Sequence, residues 1–352
     1  MSFKPIIYDN KPLTLHKAII QPDFNSKSVF VTDTWEYVEM WLKNEKKTES
    51  LYYWKQAKNF YYASKQLPKT SSPLTSYYCF LNATKALLTS KNIPYRELHG
   101  IKGETKSKKN VFLTSEFVTF QQNGILSELC KYIGETCNDE YNLSDLLYNL
   151  PYIHRAYNLT YKSSNELFIP ISEPVFVKKD DSIKSWFCAT IEDNKYINDK
   201  TLKILPKKFE RDIGVKERYC LRMKDRFDWN EKASDQDKLE AITKYHKKVR
   251  TYLYNIYAPT RLWYIKCYYP NKKNSSNKII ERSSLTITFA IMHKLSEFVR
   301  YEPKILYKHL ENKRHNWLLS EFIYTSLYQF VDEISSEITG KDFMLPGRAI
   351  RE

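Results

Sequence analysis

Glycine is scarce, with seven among 352 residues, against a usual share of about 7%. The scarcity removes most of the phosphate-cradling repertoire. No GxGxxG and no GxxxxGK[ST] occurs; Gly100 and Gly103 are followed by basic residues, and Gly340-Lys341 has no partner glycine at the required spacing upstream. These gaps argue against a Rossmann dinucleotide site and against a P-loop. Paired cysteines are missing too. Cys79, Cys130, Cys137, Cys188, Cys220 and Cys267 show no CxxC spacing, and there is no HExxH. A zinc site is therefore not expected, nor any other cofactor. The thiols read as reduced, mostly small buried hydrophobes of a cytoplasmic protein. No apolar run approaches the roughly 18 residues of a membrane span. The opening MSFKPIIYDN has no apolar leader core. The expectation is a cytoplasmic protein without a membrane partner.

What is present is a foldable composition: 42% hydrophobic, 15% aromatic and 28% charged, unlike a disordered chain. The length suits two domains or one large one. The net charge of +15 is unevenly placed. Residues 201–280 hold 20 Lys or Arg against 9 Asp or Glu, whereas the first 50 residues hold 7 of each. Such asymmetry suits an anionic partner, a nucleic acid or an acidic protein. Tyr219 to Phe227 alternates strictly, which on one strand sets Arg222, Lys224 and Arg226 on the face opposite Tyr219, Leu221, Met223 and Phe227. Lys244 to Lys273 interleaves Lys247, Lys248, Arg250, Arg261 and Lys266 with Tyr252, Tyr254, Tyr257, Trp263, Tyr264 and Tyr268. Cations hold phosphates and aromatic faces stack unpaired bases; the same pattern also suits a core with a wet rim. Arg222, Lys224, Arg226, Lys247, Lys248, Arg250 and Arg261 are the candidate nucleic-acid contacts.

Along the chain, residues 1–48 read as an N-terminal arm. The 3.6-residue period predicts helices over 49–67 and, from Ser72-Pro73, over 73–90. Residues 112–160 are helical with a weaker pattern, completing a helical part over 49–160. Prolines and β-prone runs over 161–230 predict a small inserted β segment. Residues 231–280 form a basic, aromatic segment with a helix near 234–255 and a polar loop at 270–281. Residues 281–352 hold helices at 283–301, from Pro303, and at 316–339, with Gly340 as a C-cap. The fold class is thus α+β, mainly α, with N- and C-terminal helical parts packed together because each has one apolar stripe to cover.

Polar residues interrupt those stripes. Asn82 and Lys85 stand i, i+3 within or beside the stripe Leu74, Tyr78, Leu81 and Leu88. His99 precedes Gly100 in a loop containing Arg96 and Glu97. His293, Glu297 and Arg300 stand at i, i+4 and i+7 on one helix face. Glu297 is the natural carboxylate for Lys85 if the two ends of the chain meet. Asn82, Lys85, His99 and Arg300 are the candidate members of one partly buried polar site, with His99 placed for proton transfer and two cations placed for an anion. The bland alternative is a structural staple and a solvated ion-pair row.

The segment YYWKQAKNFYYASKQLPKTSSPLTSYYCFLNATKALL, followed by HGIK, resembles the N-terminal signature of the YaaC-like bacterial proteins. LSEFVRYEPKILYKHL resembles the Arg-Tyr-x-Pro segment of the same family. The matching positions are Asn82, Lys85, Ala86, His99, Gly100, Arg300, Tyr301 and Pro303. The resemblance implies a shared fold and no particular mechanism. The paired helices are also distantly similar to HEPN modules, whose ribonucleases use R-x4–6-H; no arginine here has a histidine at that spacing. Glu311-Asn312-Lys313, the one ExK considered for a PD-(D/E)xK nuclease, falls between helices.

Three functional expectations follow. The first is a binding protein or complex subunit that grips nucleic acid or another anionic partner through residues 201–280, in stress or antiviral defence by loose analogy. The second is a nucleotide- or RNA-processing enzyme built around Asn82, Lys85, His99 and Arg300. The third is a non-catalytic homo-oligomeric assembly protein.

Overall fold

A computed structural model describes residues 3–107, 111–162, 164–215, 218–259, 262–269 and 278–345. Its helices are α1 (Thr34–Asn44), α2 (Thr48–Gln66), α3 (Ser72–Ser90), α4 (Ile125–Ile133), α5 (Leu143–Tyr148), α6 (His154–Thr160), α7 (Asp199–Ile204), α8 (Asp235–Arg250), α9 (Ser284–Tyr301), α10 (Pro303–Glu311) and α11 (Lys313–Thr339). Its strands are β1 (Phe3–Pro5), β2 (Ile7–Tyr8), β3 (Lys11–Pro12), β4 (Val29–Phe30), β5 (Ile101–Thr105), β6 (Glu116–Phe120), β7 (Glu140–Asn142), β8 (Phe168–Lys179), β9 (Lys184–Thr190), β10 (Phe209–Arg211), β11 (Cys220–Met223), β12 (Phe227–Asp228), β13 (Leu253–Ile256), β14 (Leu262–Lys266) and β15 (Phe343–Met344). The fold class is α+β. The chain divides into two units: Met1–Phe30 with Glu166–Asn274 and Gly340–Glu352, and Val31–Asn165 with Ser275–Thr339.

The second unit is mainly helical, and it joins helices from both ends of the chain. Helix α3 is its centre, packed on α2, α9, α11 and α4. The sequence explains the position. Ser76, Ala83 and Ala86 are small enough to admit neighbours, while Tyr77, Phe80, Leu87 and Leu88 fill the space between them, all fully buried. Phe80 stacks on Phe330 of α11 at 4.0 Å. Trp54 of α2 packs on Trp35 of α1 at 4.3 Å and donates its indole N–H to the Trp35 carbonyl at 3.0 Å. Each such buried side chain contributes about 1.5–3 kcal/mol. A three-stranded antiparallel sheet, β5-β6-β7, lies against α9. The weak helical pattern over 112–160 therefore hides two strands, β6 and β7.

The first unit is built on an eight-stranded antiparallel sheet whose main path runs β10-β11-β9-β8-β14-β13, with β1 added to β8 and β12 to β9. The expected small inserted β segment is corrected accordingly. The sheet takes β1 from the N-terminus and β13 and β14 from beyond α8, because long-range pairing rather than local pattern recruits edge strands. The alternation over Tyr219–Phe227 predicts one strand, but β11 stops at Met223. There the chain turns, and its carbonyls are taken by side chains: Arg226 Nη1 donates to Met223 O at 3.0 Å and Tyr245 Oη to Asp225 O at 2.8 Å. Only Arg222 of the expected basic ladder lies on β11. Strand β15 returns to pair with β4, and Lys17 donates to the Phe343 carbonyl at 2.7 Å.

Candidate functional site

His99 is presented by a loop with little freedom. The Leu98 and His99 carbonyls accept from Ile125 N at 2.9 Å and Leu126 N at 3.1 Å, at the start of α4. Gly100 has φ +78°, and a Cβ there would lie 2.9 Å from Ser127 N; Gly124, at φ +122°, would put one 2.5 Å from Gly100 N. Both positions need glycine, since a side chain would be strained and would also clash. The loop sets the exposed His99 ring on α3, where its Nδ1 shares a 2.5 Å hydrogen bond with the buried Tyr77 hydroxyl.

Helix α9 brings the second set. His293 packs edge-on against Tyr77 at 5.1 Å, and its ring centroid is 5.8 Å from that of His99. Its Nε2 is 3.9 Å from Glu297 Oε1, and its Nδ1 has no hydrogen-bond partner among the described residues. Glu297 accepts from Gly103 N of β5 at 3.3 Å. A Cβ at Gly103 would lie 1.7 Å from Glu297 Oε2, so any side chain there would push the carboxylate out of its present place. One turn on, Arg300 leans on its own helix, with Nε 3.4 Å from Ser296 O and its guanidinium 5.0 Å from the Tyr301 ring centroid. Among the described residues, no carboxylate forms an ion pair with it.

The electrostatics of the group favour neutral imidazoles. Burial, then the charges of Arg300 and Lys85, hold His99 below its ordinary value. Burial first, then His99, Arg300 and Lys294, press His293 down to about 3. Burial raises Glu297 despite Lys294, and raises Tyr77 so that the phenol stays protonated. The His293–Glu297 contact is therefore not an ion pair near neutral pH.

Of the four expected members, His99 and Arg300 share one electrostatic neighbourhood, and Lys85 reaches it through space. Asn82 does not join them; its Nδ2 donates to Tyr78 O at 2.8 Å within α3. Lys85 does not meet Glu297. It pairs with Glu97 at 2.5 Å, in the loop just past its own helix, and lies over the Tyr53 ring at 5.2 Å. The half-exposed Glu97 makes this a surface pair, worth under about 1 kcal/mol. Lys85→Met, which keeps the apolar stem, is therefore expected to change the urea midpoint little; a loss of several kcal/mol would show the pair to be a staple. Tyr77 and Gly103 carried no signal in the sequence, whereas the i, i+4, i+7 spacing of His293, Glu297 and Arg300 did.

Behind this site lies a largely buried polar network. Lys294 Nζ is 3.4 Å from Glu116 Oε2 and donates to Thr105 Oγ1 at 3.1 Å. Thr105 donates to Glu116 at 2.6 Å, His309 Nε2 is 3.5 Å from Glu116 Oε1, and His309 meets His315 at 3.1 Å.

The candidate nucleic-acid contacts lie in the other unit. Arg222 pairs with Glu210 at 2.7 Å and approaches Asp212 at 3.6 Å. Arg226 stacks on Trp186 at 4.3 Å. Lys224, Lys247 and Lys248 are exposed. Arg250 is turned inward instead, donating to the Leu253 and Lys17 carbonyls and lying over the buried Trp263 ring at 4.9 Å. Arg261 lies outside the described residues, as do Lys272 and Lys273 of the polar loop. Tyr254 and Trp263 belong to the core. This unit also has an open groove of about 740 Å³ lined by Lys11, His16, Asp23 and Asp342. Its charges are engaged with one another or with main chain: Asp23 with Lys341 at 2.5 Å, His16 with Asp342 at 3.5 Å, and Lys11 with Ser26 O.

Among the described residues, no cluster of three His, Cys, Asp or Glu is placed to hold a metal ion, and no helix is long and apolar enough to cross a membrane. No curated protein and no solved structure matches the chain. The YaaC-like protein family matches residues 18–338, a span that includes His99, Gly100, His293 and Arg300, nearly all of the second unit and most of the first. The chain belongs to the YaaC-like family.

Proposed function

We propose that the protein is a nucleotide- or RNA-processing enzyme whose site is the His99–Tyr77–His293–Glu297–Arg300 group, with single-stranded RNA as the substrate. The observation that carries the reading is an exposed imidazole, fixed by a buried tyrosine and held neutral beside an arginine that has no carboxylate partner among the described residues. A neutral histidine is the form needed for a general base, and an unpaired guanidinium is a ready phosphate holder. In this reading His99 Nδ1–H donates to Tyr77 Oη, which frees Nε2 to take the proton from a ribose 2′-hydroxyl. That oxygen attacks the adjacent phosphorus and the bond to the 5′-oxygen breaks; the 5′-oxygen takes a proton from solvent water, leaving a cyclic phosphate and a 5′-hydroxyl, and His99 later returns its own proton to solvent. Arg300, with Lys85 at longer range, stabilises the charge that develops on the phosphate oxygens. The chain after Arg300 supports a single strand over a free nucleotide: Tyr301, Tyr307 and Trp317 are exposed, with Lys304, Lys308 and Arg314 exposed among them, a combination that suits base stacking.

The test is a 5′-fluorescein-labelled single-stranded RNA incubated with the protein in EDTA. Fragments ending in cyclic phosphate are expected, with DNA of the same sequence uncut. Arg300→Ala is expected to lower the rate by about 10²–10³-fold, the usual effect of removing one charge-stabilising donor. Intact RNA with the wild-type protein, or an unaffected Arg300→Ala, would overturn the reading.

A second reading keeps an anionic partner on the other unit, favoured by the exposed Lys224, Lys247 and Lys248. Steeply salt-dependent RNA binding that survives Arg300→Ala without cleavage is its signature.

A further inference from the structure

Helix α4 ends at Gly134, which at φ +96° turns the chain back so that Glu135 N bonds Cys130 O at 2.8 Å. Three residues later the half-buried Cys137 lies against the same helix, with Sγ 3.8 Å from Ser127 O, one turn before Cys130. The turn is anchored from outside. Arg282 donates to Thr136 O at 2.6 Å, to Glu135 at 2.9 Å and to Asp139 at 2.8 Å, and its Nη1 lies 3.6 Å from Cys130 Sγ. Glu135 in turn accepts from Ser283 N at 2.6 Å and Thr286 Oγ1 at 2.8 Å at the start of α9. The arrangement places a half-buried cysteine against the helix one turn from a buried one, beneath a fixed guanidinium.

We propose that Cys130 and Cys137 are a redox-active dithiol, oxidised to an intramolecular disulfide by a hydroperoxide. Cys137 is the attacking sulfur. Its thiolate displaces the terminal oxygen of hydrogen peroxide, becoming a sulfenic acid while the other oxygen leaves as hydroxide and is protonated to water. The Cys130 sulfur then attacks the sulfenic sulfur, expelling a second water. Two thiols and one peroxide thus become one disulfide and two waters, and a dithiol reductant reverses the bridge. The hydrogen bond from Cys130, with help from the charges of Arg282 and Lys131, brings Cys137 down to about 7, so a large fraction is thiolate at neutral pH. Because Cys137 Sγ rests against the backbone of α4 one turn from Cys130, the bridge closes over a short span of the anchored turn. Cys220 on β11, beside Cys188 on β9, is lowered further, to about 6, but both of these sulfurs are buried whereas Cys137 is half-buried, so access favours Cys137.

The test treats the folded, full-length protein with an equimolar amount of hydrogen peroxide, removes the peroxide, then unfolds the protein in urea to block all remaining thiols with iodoacetamide, and digests with trypsin. Cleavage after Lys131 separates the two cysteines. The expected product is the peptide ending at Lys131 joined to the peptide beginning at Tyr132, two hydrogens lighter than their sum and lost on reduction. Cys137→Ser should abolish it, and Cys130→Ser should leave a sulfenic acid on Cys137 that dimedone traps. The proposal is overturned if Cys130 and Cys137 are alkylated as fully as Cys79 and Cys267 after peroxide, if the bridge forms only in urea, or if Cys188–Cys220 forms first. This readout is independent of RNA cleavage.

Discussion

Glutamine in place of His99 is expected to slow RNA cleavage by about 10²–10⁴-fold, the usual contribution of a positioned general base, while leaving the fold intact. His99→Gln keeps an amide near the Tyr77 hydroxyl but has no group that takes up a proton. The wild-type pH profile gives the second half of the test. Because burial and two cations lower the His99 pKa, the base is free at a pH where an ordinary imidazole is still protonated. The acid limb of kcat/KM should therefore have its midpoint below 6.5. Removing one of those cations has a definite sign: Lys85→Met should move the midpoint upward. A profile with no acid limb, or a His99→Gln enzyme of full activity, would remove His99 from the chemistry.

The second large effect lies in the buried network behind the site. Lys294→Met is expected to lower the unfolding free energy by about 3–5 kcal/mol, the loss associated with stranding one member of a buried ion pair. Lys294 and Glu116 are 2% and 1% exposed, so water cannot replace the missing partner. The double variant Lys294→Met/Glu116→Gln should recover most of the loss, since both charges are then gone. Urea denaturation of the three variants measures this directly. A single variant that loses under about 1 kcal/mol would show the pair to be dispensable.

The long helices α2, α3, α9 and α11 were legible because each has a sustained period, whereas the short α4 to α6 showed only a weak one and α7 lay unseen in the expected β segment. Pro73 starts α3 and Gly340, at φ +72°, follows α11. The predicted 316–339 lacked only the first turn of α11, where Lys313, Arg314 and His315 carry no apolar stripe. The sheets were far less legible. Strands β5 to β7 have three to five residues, too few to show a period. Strand β6 also begins with the buried Glu116, which reads as a surface residue until Lys294 and Thr105 are placed around it. Strands β1, β13 and β14 belong to the large sheet through pairings far along the chain. At the site, His99 and Arg300 were visible as polar residues in conspicuous places. Tyr77 was not, because it is one of 28 tyrosines and nothing local marks the one that meets a histidine. The choice of Glu297 for Lys85 failed for a related reason: a loop carboxylate twelve residues away reached the ammonium before a distant helix did.

Gly103 gives β5 a hereditary constraint. The carboxylate of Glu297 rests where a side chain of residue 103 would begin, so the acid and the bare backbone are in effect one character divided between distant parts of the chain. A lineage that replaced the glycine first would have to evict the acid, and one that lost the acid first would free the position to drift. The two positions are thus coupled through the place of one carboxylate, which makes the pair a natural marker for whether a relative retains the polar face of α9 or keeps only the surrounding scaffold.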